Sequence, residues 1–228
     1  MLNIIIPAFN EENILQKTID NIYDWSKINS INIELVVINN NSTDQTEAIC
    51  KNNLIKYKNF KYQNEEKKGK GFAVKRGLTI SSYNKILILD ADLSVSIDQF
   101  DPEWLGYENI CISGSRFKGK VIGTPARRNL TGKGFSFLVK SLFNITVDDT
   151  QCGFKYISYS NIPLLVNKLT VGNFAYDVDF LLAVNSCSIE TVVKPVTYIH
   201  NIESSVSIFK DSLKMLFTLI KLRTKSFN

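Results

Sequence analysis

Histidine is nearly missing from this chain, with His200 the single one among 228 residues. A zinc site or proton relay built on several imidazoles is thereby excluded. Cysteine is also scarce. Cys50, Cys111, Cys152 and Cys187 lie far apart without any C-x-x-C pair, which excludes a zinc ribbon. No apolar run approaches the ~20 residues of a membrane span. Residues 2–6 are too short for the apolar region of a signal peptide. The expectation is a cytosolic protein whose thiols stay reduced in the core. Neither G-x-G-x-x-G after the first strand nor G-x-x-x-x-G-K-[ST] anywhere is present, so the usual dinucleotide and P-loop cradles are absent. A net charge of +5 is mild and gives no reason to expect a nucleic acid partner.

What remains is an ordinary globular composition, 44% hydrophobic and 21% charged, long enough for a sizeable core. Apolar runs at 2–6, 33–38, 85–89 and 109–113 read as buried strands. Helical patterns at 11–24, 43–56 and 71–81 alternate with them, and Ser42 or Thr43 is a plausible cap for the second. Strand and helix in alternation predict a mostly parallel sheet with right-handed crossovers and helices on both faces. A ligand then sits beyond the carboxyl ends of the strands. The segments Pro7-Ala8-Phe9-Asn10-Glu11, Asn39-Asn40-Asn41-Ser42 and Asp90-Ala91-Asp92 should converge there.

Asp90 and Asp92 follow the apolar run Ile86-Leu87-Ile88-Leu89 and are spaced by one residue. Strand alternation would place both carboxylates on one side, where they either hold a divalent cation or stand as solvated turn acids. Lys67-Lys68-Gly69-Lys70-Gly71 opens a helix. Its amides and ammonium groups either face an anion or form a solvated basic loop. Gly119, Gly123, Gly132 and Gly134 mark a mobile stretch after Arg116, with Arg127 and Arg128 inside it. Guanidinium forks suit phosphate, although surface arginines are also common. His200 follows a strand-like run at 191–199 and reads as structural.

In order along the chain, these segments resemble family 2 inverting glycosyltransferases. Ile4-Ile5-Ile6-Pro7-Ala8-Phe9-Asn10-Glu11-Glu12 is similar to "IPAYNEE", and Val36-Val37-Ile38-Asn39-Asn40-Asn41-Ser42-Thr43-Asp44 to "VVDDGSTD". Lys68-Gly69-Lys70-Gly71-Phe72-Ala73-Val74-Lys75-Arg76-Gly77 matches "KGKGGAVRxG", and Asp90-Ala91-Asp92 falls on the metal-binding D-x-D. Gly114-Ser115-Arg116 and Asp149-Thr150-Gln151-Cys152-Gly153-Phe154-Lys155 resemble the polyprenyl-phosphate branch, the latter especially dolichyl-phosphate glucosyltransferases.

The resemblance implies a single α/β domain over 1–228 with the A-type glycosyltransferase fold. Within it, 1–95 would bind the nucleotide sugar, 96–200 the acceptor, and 201–228 would be a C-terminal helix. The implied reaction moves a hexose, best matched by glucose from UDP-glucose, onto a polyprenyl or dolichyl phosphate with inversion. Mannose from GDP-mannose and transfer to a growing glycan are the alternatives, and an inactive nucleotide-sugar-binding module is another class. Asp90 and Asp92 would hold Mg²⁺ or Mn²⁺. Pro7, Ala8, Asn10, Glu11, Asn40, Lys70, Asp90, Ala91 and Asp92 would contact the nucleotide sugar. Arg116 with Arg127 or Arg128 would grip the acceptor phosphate, and Asp177 would serve as base or orient the acceptor. Cys152 is assigned to packing.

Two departures stand out: Asn39-Asn40-Asn41 replaces "DDG", and Ile202-Glu203-Ser204-Ser205-Val206 lacks the lysine of "IEGSK". An amide would then have to substitute for the carboxylate at the nucleotide. A lipid acceptor implies a position peripheral to the cytoplasmic face of a membrane, with a membrane-embedded partner subunit as an option. On a helix over 206–222, Lys210, Lys214, Lys221 and Lys225 flank an apolar face of Phe209, Leu213, Leu216, Phe217 and Ile220. That helix either lies on the bilayer or covers the core.

Overall fold

The computed structural model describes residues 1–123, 126–143, 145–173, 175–200 and 218–224, and for 126–131 the backbone alone. The chain begins with strand β1 (Leu2–Ala8), helix α1 (Leu15–Ile28), β2 (Ile33–Asn39), α2 (Thr46–Lys56), β3 (Phe60–Asn64), α3 (Lys70–Ile80) and β4 (Lys85–Ile88). It continues through β5 (Ile110–Ile122), α4 (Ala126–Phe143), β6 (Lys155–Ser158), α5 (Ile162–Lys168), α6 (Tyr176–Ser186) and β7 (Glu190–Ile199). All seven strands form one sheet in the order β3-β2-β1-β4-β6-β5-β7. β1 pairs in parallel with β2 and β4, β2 with β3, and β5 with β7. Only β6 runs the other way, antiparallel to both β4 and β5.

Successive strand side chains enter opposite layers. Leu2, Ile4 and Ile6 pack with Leu35 and Val37 against Leu15, Ile19 and Ile22 of α1. Ile5, Val36 and Ile38 face the other way, onto Ala73, Val74 and Leu78 of α3 and Phe180 of α6. The three isoleucines of β1 are fully buried, and each such side chain contributes about 1.5–3 kcal/mol. This explains why an almost unbroken apolar run is a strand: helices cover both sides.

Several local expectations need correction. Residues 11–14 form turns, and α1 starts at Leu15 and runs four residues further than the apolar pattern suggested, to Ile28. Neither Ser42 nor Thr43 caps α2; the Asp44 carboxylate accepts from Thr46 N at 2.9 Å, while Ser42 Oγ accepts from Asn10 N at 3.0 Å. Three of the four glycines expected to mark a mobile stretch lie in regular structure, and Gly123 sits in a bend at φ 77°. Gly119 lies inside β5, where a Cβ would come within 2.0 Å of the Val196 carbonyl, and Gly132 and Gly134 lie inside α4. Glycine at 119 permits that close backbone approach.

Most of the proposed C-terminal basic helix, including Lys210, Lys214, Lys225, Phe209, Leu213, Leu216 and Phe217, lies outside the described residues. Within 218–224, which is helical, Leu219 and Leu222 are buried against Val139, Val178 and Leu182. Ile220 belongs to the outer side instead, 53% exposed, beside exposed Lys221.

Candidate active site

The loops after β1 and β2 are laced together at the carboxyl rim of the sheet. Asn40 N donates to the Ala8 carbonyl at 2.8 Å, and Thr43 N to Asn10 Oδ1 at 2.8 Å. Glu11 N donates to Thr46 Oγ1 at 2.8 Å. Asn10 adopts a positive φ of 55°, a conformation asparagine tolerates better than most residues. Its side chain thus secures the neighbouring loop. Ala8 is packed in the core and Pro7 is half-buried.

β4 ends at Ile88, so Asp90 and Asp92 belong to the turn that follows it rather than to alternating strand positions. Thr18 of α1 fixes that turn by donating its hydroxyl to the Ala91 carbonyl at 2.6 Å. Ala91 itself is buried, with its methyl in the core and not in an open site. Asp92 accepts from Ser94 N at 2.9 Å and from Ser94 Oγ at 2.5 Å. Each carboxylate oxygen retains a lone pair after that bond. Asp90 Oδ1 receives the Lys70 ammonium, and its carboxylate lies against Gly153, where a Cβ would sit 2.0 Å from Oδ2.

That contact joins the two ends of the chain's chemistry. Because β6 is antiparallel, its first residue, Lys155, arrives at the same rim where β4 finishes. The Lys155 ammonium is fully buried, 2.5 Å from Asp177 Oδ1 at the start of α6, and also donates to the Cys152 carbonyl at 2.5 Å. Arg116 of β5 forms a bidentate pair with Asp149, Nε to Oδ2 and Nη2 to Oδ1, both at 2.7 Å. Three ion pairs, each of a lysine or arginine with an aspartate, are therefore gathered at this end of the sheet.

The fields reinforce one another. Burial pushes the Asp90 carboxyl upward, but Lys70, then Lys155 and Arg116, hold it below the usual value. Burial pulls the Lys70 ammonium down, yet Asp90 keeps it well above its ordinary value. Burial likewise lowers Arg116, and Asp149 more than restores it. Asp90, Lys70 and Arg116 are thus charged near neutral pH. The Cys152 thiol, by contrast, is pushed up to about 12 by burial, in keeping with its assignment to packing.

The basic loop departs from its expected form. Gly69 N donates to Asn40 Oδ1 at 2.7 Å and Gly71 N to the Gly172 carbonyl at 2.9 Å. Those amides are therefore committed within the protein and do not form an open anion nest. The Asn40 side chain also donates to the Glu65 and Lys67 carbonyls at 3.1 and 2.8 Å. Asn41 adds bonds to the Glu65 and Glu66 carbonyls at 2.9 and 3.0 Å. Sequence reasoning placed Asn40 on the nucleotide, and the structure places it on this loop.

Asp177 is nearly fully buried with Lys155. Arg127 and Arg128 lie on α4, and their side chains fall outside what the structure describes. Asp149, Gly153 and Lys155 stand in one segment of the sequence that gives none of them a role by itself. A lysine at the head of β6, followed by Tyr156, Ile157 and Ser158, was the available signal.

Two carboxylates with hard oxygen ligands suit Mg²⁺ or Mn²⁺ when substrate oxygens and water complete the shell. Among the described residues, no three His, Cys, Asp or Glu side chains form a ready-made metal cluster.

Comparison with known proteins agrees with this geometry. The Trichomonas vaginalis protein "Dolichyl-phosphate beta-glucosyltransferase ALG5A" is 27% identical over 97% of this chain and 72% of its own length. A Drosophila melanogaster dolichyl-phosphate beta-glucosyltransferase is 30% identical over 79% of this chain and 61% of its own length. Glucosyl-3-phosphoglycerate synthase from Mycobacterium tuberculosis, solved with Mn²⁺, UDP-glucose and phosphoglyceric acid, shares the fold with a TM-score of 0.69. It is 17% identical, with 99% of this chain and 80% of that chain covered. The A-type glycosyltransferase fold expected from the sequence is therefore present. Residues 3–160 match the family described as "Glycosyl transferase family 2", and the laced loops, the D-x-D turn and Lys70 all fall within that span, so the chain belongs to this glycosyltransferase family.

Proposed function

We propose that this glycosyltransferase moves glucose from UDP-glucose to a dolichyl or related polyprenyl phosphate, inverting the anomeric centre. The observation that carries the reading is the packing of Asp90 on Gly153, which sets the D-x-D turn against the Asp149–Lys155 segment. Relatives named for this reaction match nearly all of the chain, which supports the same choice of sugar and lipid.

Residues 1–95 would hold the nucleotide sugar, and 96–200 would present the acceptor. Asp90 and Asp92 would hold Mg²⁺ or Mn²⁺, which when bound supplies positive charge to the departing diphosphate. Lys70 supports the same charge from the adjacent helix. Asp92 is fixed by Ser94, so its carboxylate needs little reorganisation. An acceptor phosphate is already ionised near neutral pH, so it can attack without a strong general base. This relieves Asp177 of that role. Paired with Lys155, it instead anchors the wall beside Asp90 and orients the acceptor side. Arg116 retains Nη1 after its Asp149 bonds and, with Arg127 or Arg128, would position the phosphate in line.

The lipid acceptor places the protein at a membrane surface, which we take to be the cytoplasmic face. Among the described residues no helix is long and apolar enough to cross a bilayer, which is compatible with peripheral attachment or a membrane-embedded partner.

A donor screen with a polyprenyl phosphate acceptor and Mn²⁺, reading released nucleotide diphosphate, tests the proposal. UDP-glucose should give lipid-dependent turnover that EDTA removes and Asp92→Asn abolishes. Turnover with GDP-mannose alone, or none without a glycan acceptor, would overturn it.

A further inference from the structure

We propose that Asn40 is a positioning residue, clamping the 65–69 loop so that Lys70 reaches Asp90, and that it does not read the nucleotide base. This deepens the transfer reading above and rests on it for its kinetic consequences.

A primary amide offers two N–H donors and one carbonyl acceptor. Asn40 commits both donors and one of its two Oδ1 lone pairs to one loop: Nδ2 to the carbonyls of Glu65 and Lys67, Oδ1 from the amide of Gly69. The side chain is buried, with 6% of the residue exposed, so these bonds are shielded from competing water. Both Nδ2 hydrogens are committed to protein carbonyls, so no donor is left for a base. Its backbone N–H is likewise committed, to the Ala8 carbonyl.

Lys70 follows Gly69 directly. Gly69 stands at φ 138°, a conformation that side chains rarely adopt, and an added Cβ would come within 2.1 Å of the Gly172 carbonyl. Gly71 N, on the other side of Lys70, donates to that same carbonyl. The lysine backbone is therefore bracketed by Asn40 on one side and Gly172 on the other. Its ammonium has a defined starting point from which to meet Asp90.

The family pattern carries a carboxylate where Asn40 stands. A carboxylate can still accept from Gly69 N, but it cannot donate to the Glu65 and Lys67 carbonyls. It would set an anionic oxygen about 3 Å from two carbonyl oxygens, an arrangement of repelling acceptors. Reverting to the family's acid should thus impair this chain.

The test is Asn40→Asp, with Asn40→Ala beside it, in the full chain. Amide exchange over 65–71 and tryptic cleavage after Lys67 and Lys68 read the clamp without any turnover. Both should rise in each variant while the melting transition stays cooperative. In the transfer assay, kcat for UDP-glucose should fall about tenfold or more. The ratio of UDP to GDP affinity, measured by calorimetry with Mn²⁺, should stay constant. Lowering the pH should partly rescue Asn40→Asp but not Asn40→Ala, because protonating the new carboxyl group restores one donor. Unchanged exchange and cleavage would overturn the clamp. A severalfold change in the UDP-to-GDP ratio would return Asn40 to the base. If no donor or acceptor is used by the unaltered chain, the transfer reading fails, and the exchange data still decide the clamp.

Discussion

The ammonium of Lys155 lies 2.5 Å from the carboxylate of Asp177, with the two side chains 0% and 6% exposed. One comes from the antiparallel strand β6 and the other from the first turn of α6, so the pair ties the sheet to the helix layer beside the D-x-D turn. Removing one partner strands the other as an uncompensated buried charge. Lys155→Met should therefore cost about 3–5 kcal/mol, read by urea unfolding. The double change Lys155→Met with Asp177→Leu should recover most of that loss. A single variant as stable as the parent would show that the pair is not buried in solution.

Gly153→Ala probes the wall behind Asp90. The added methyl would meet Oδ2 at 2.0 Å, so the carboxylate must move. Misplacement of a ligand on this scale can cost about a hundredfold in turnover. The expected result is a large fall in kcat and weaker Mn²⁺ binding by calorimetry, with far-ultraviolet dichroism unchanged. Retained metal affinity would remove Asp90 from the ligand set.

The pH dependence of folding should carry the mark of Glu34. Burial raises its carboxyl, but bonds from Lys61, Asn3 and Ser82 outweigh that and hold it below the ordinary 4.5. A depressed carboxyl contributes stability above its unfolded value and loses it as pH falls through the folded one. Glu34→Gln should thus be less stable than the parent by about 1.5–3 kcal/mol at pH 7. The gap should close in acid, below the ordinary value. A gap that is constant from pH 7 to pH 3 would refute the linkage.

Much of this architecture was legible because the parallel strands are doubly covered. Ile4-Ile5-Ile6 and Leu35-Val36-Val37-Ile38 are apolar on both faces and could hardly be anything but interior strands. β3 was missed because Lys61, Gln63 and Asn64 dilute the pattern at the sheet edge. β6 was missed because it has four residues and begins with a lysine whose charge only tertiary pairing explains. The site divides in the same way. The D-x-D turn could be found from spacing, whereas Asn40's partners come from residues 65–69 and are fixed only by the folded backbone.

The thiols give a simple solution check. Burial pushes Cys50, Cys111 and Cys152 up to about 12, so they remain protonated and shielded. Cys187 alone is partly exposed. A thiol reagent at pH 8 should modify Cys187 in the native protein and all four cysteines after denaturation. Rapid native labelling of Cys152 would mean that the Asp149–Lys155 segment opens readily.

The placement of β6 also governs the order in which the molecule can assemble. β3, β2, β1 and β4 come from the first 88 residues and can pair as soon as they leave the ribosome, but β5 cannot dock directly on β4. It must wait for residues 155–158, which lie between the two and pair with both. Until then β4 is an open edge offering Ile86, Leu87 and Ile88 to any other extended chain, a known route to aggregation. The nascent N-terminal half therefore depends on a four-residue strand made much later. A fragment ending near residue 95 should be sticky and insoluble even though its own strands are complete.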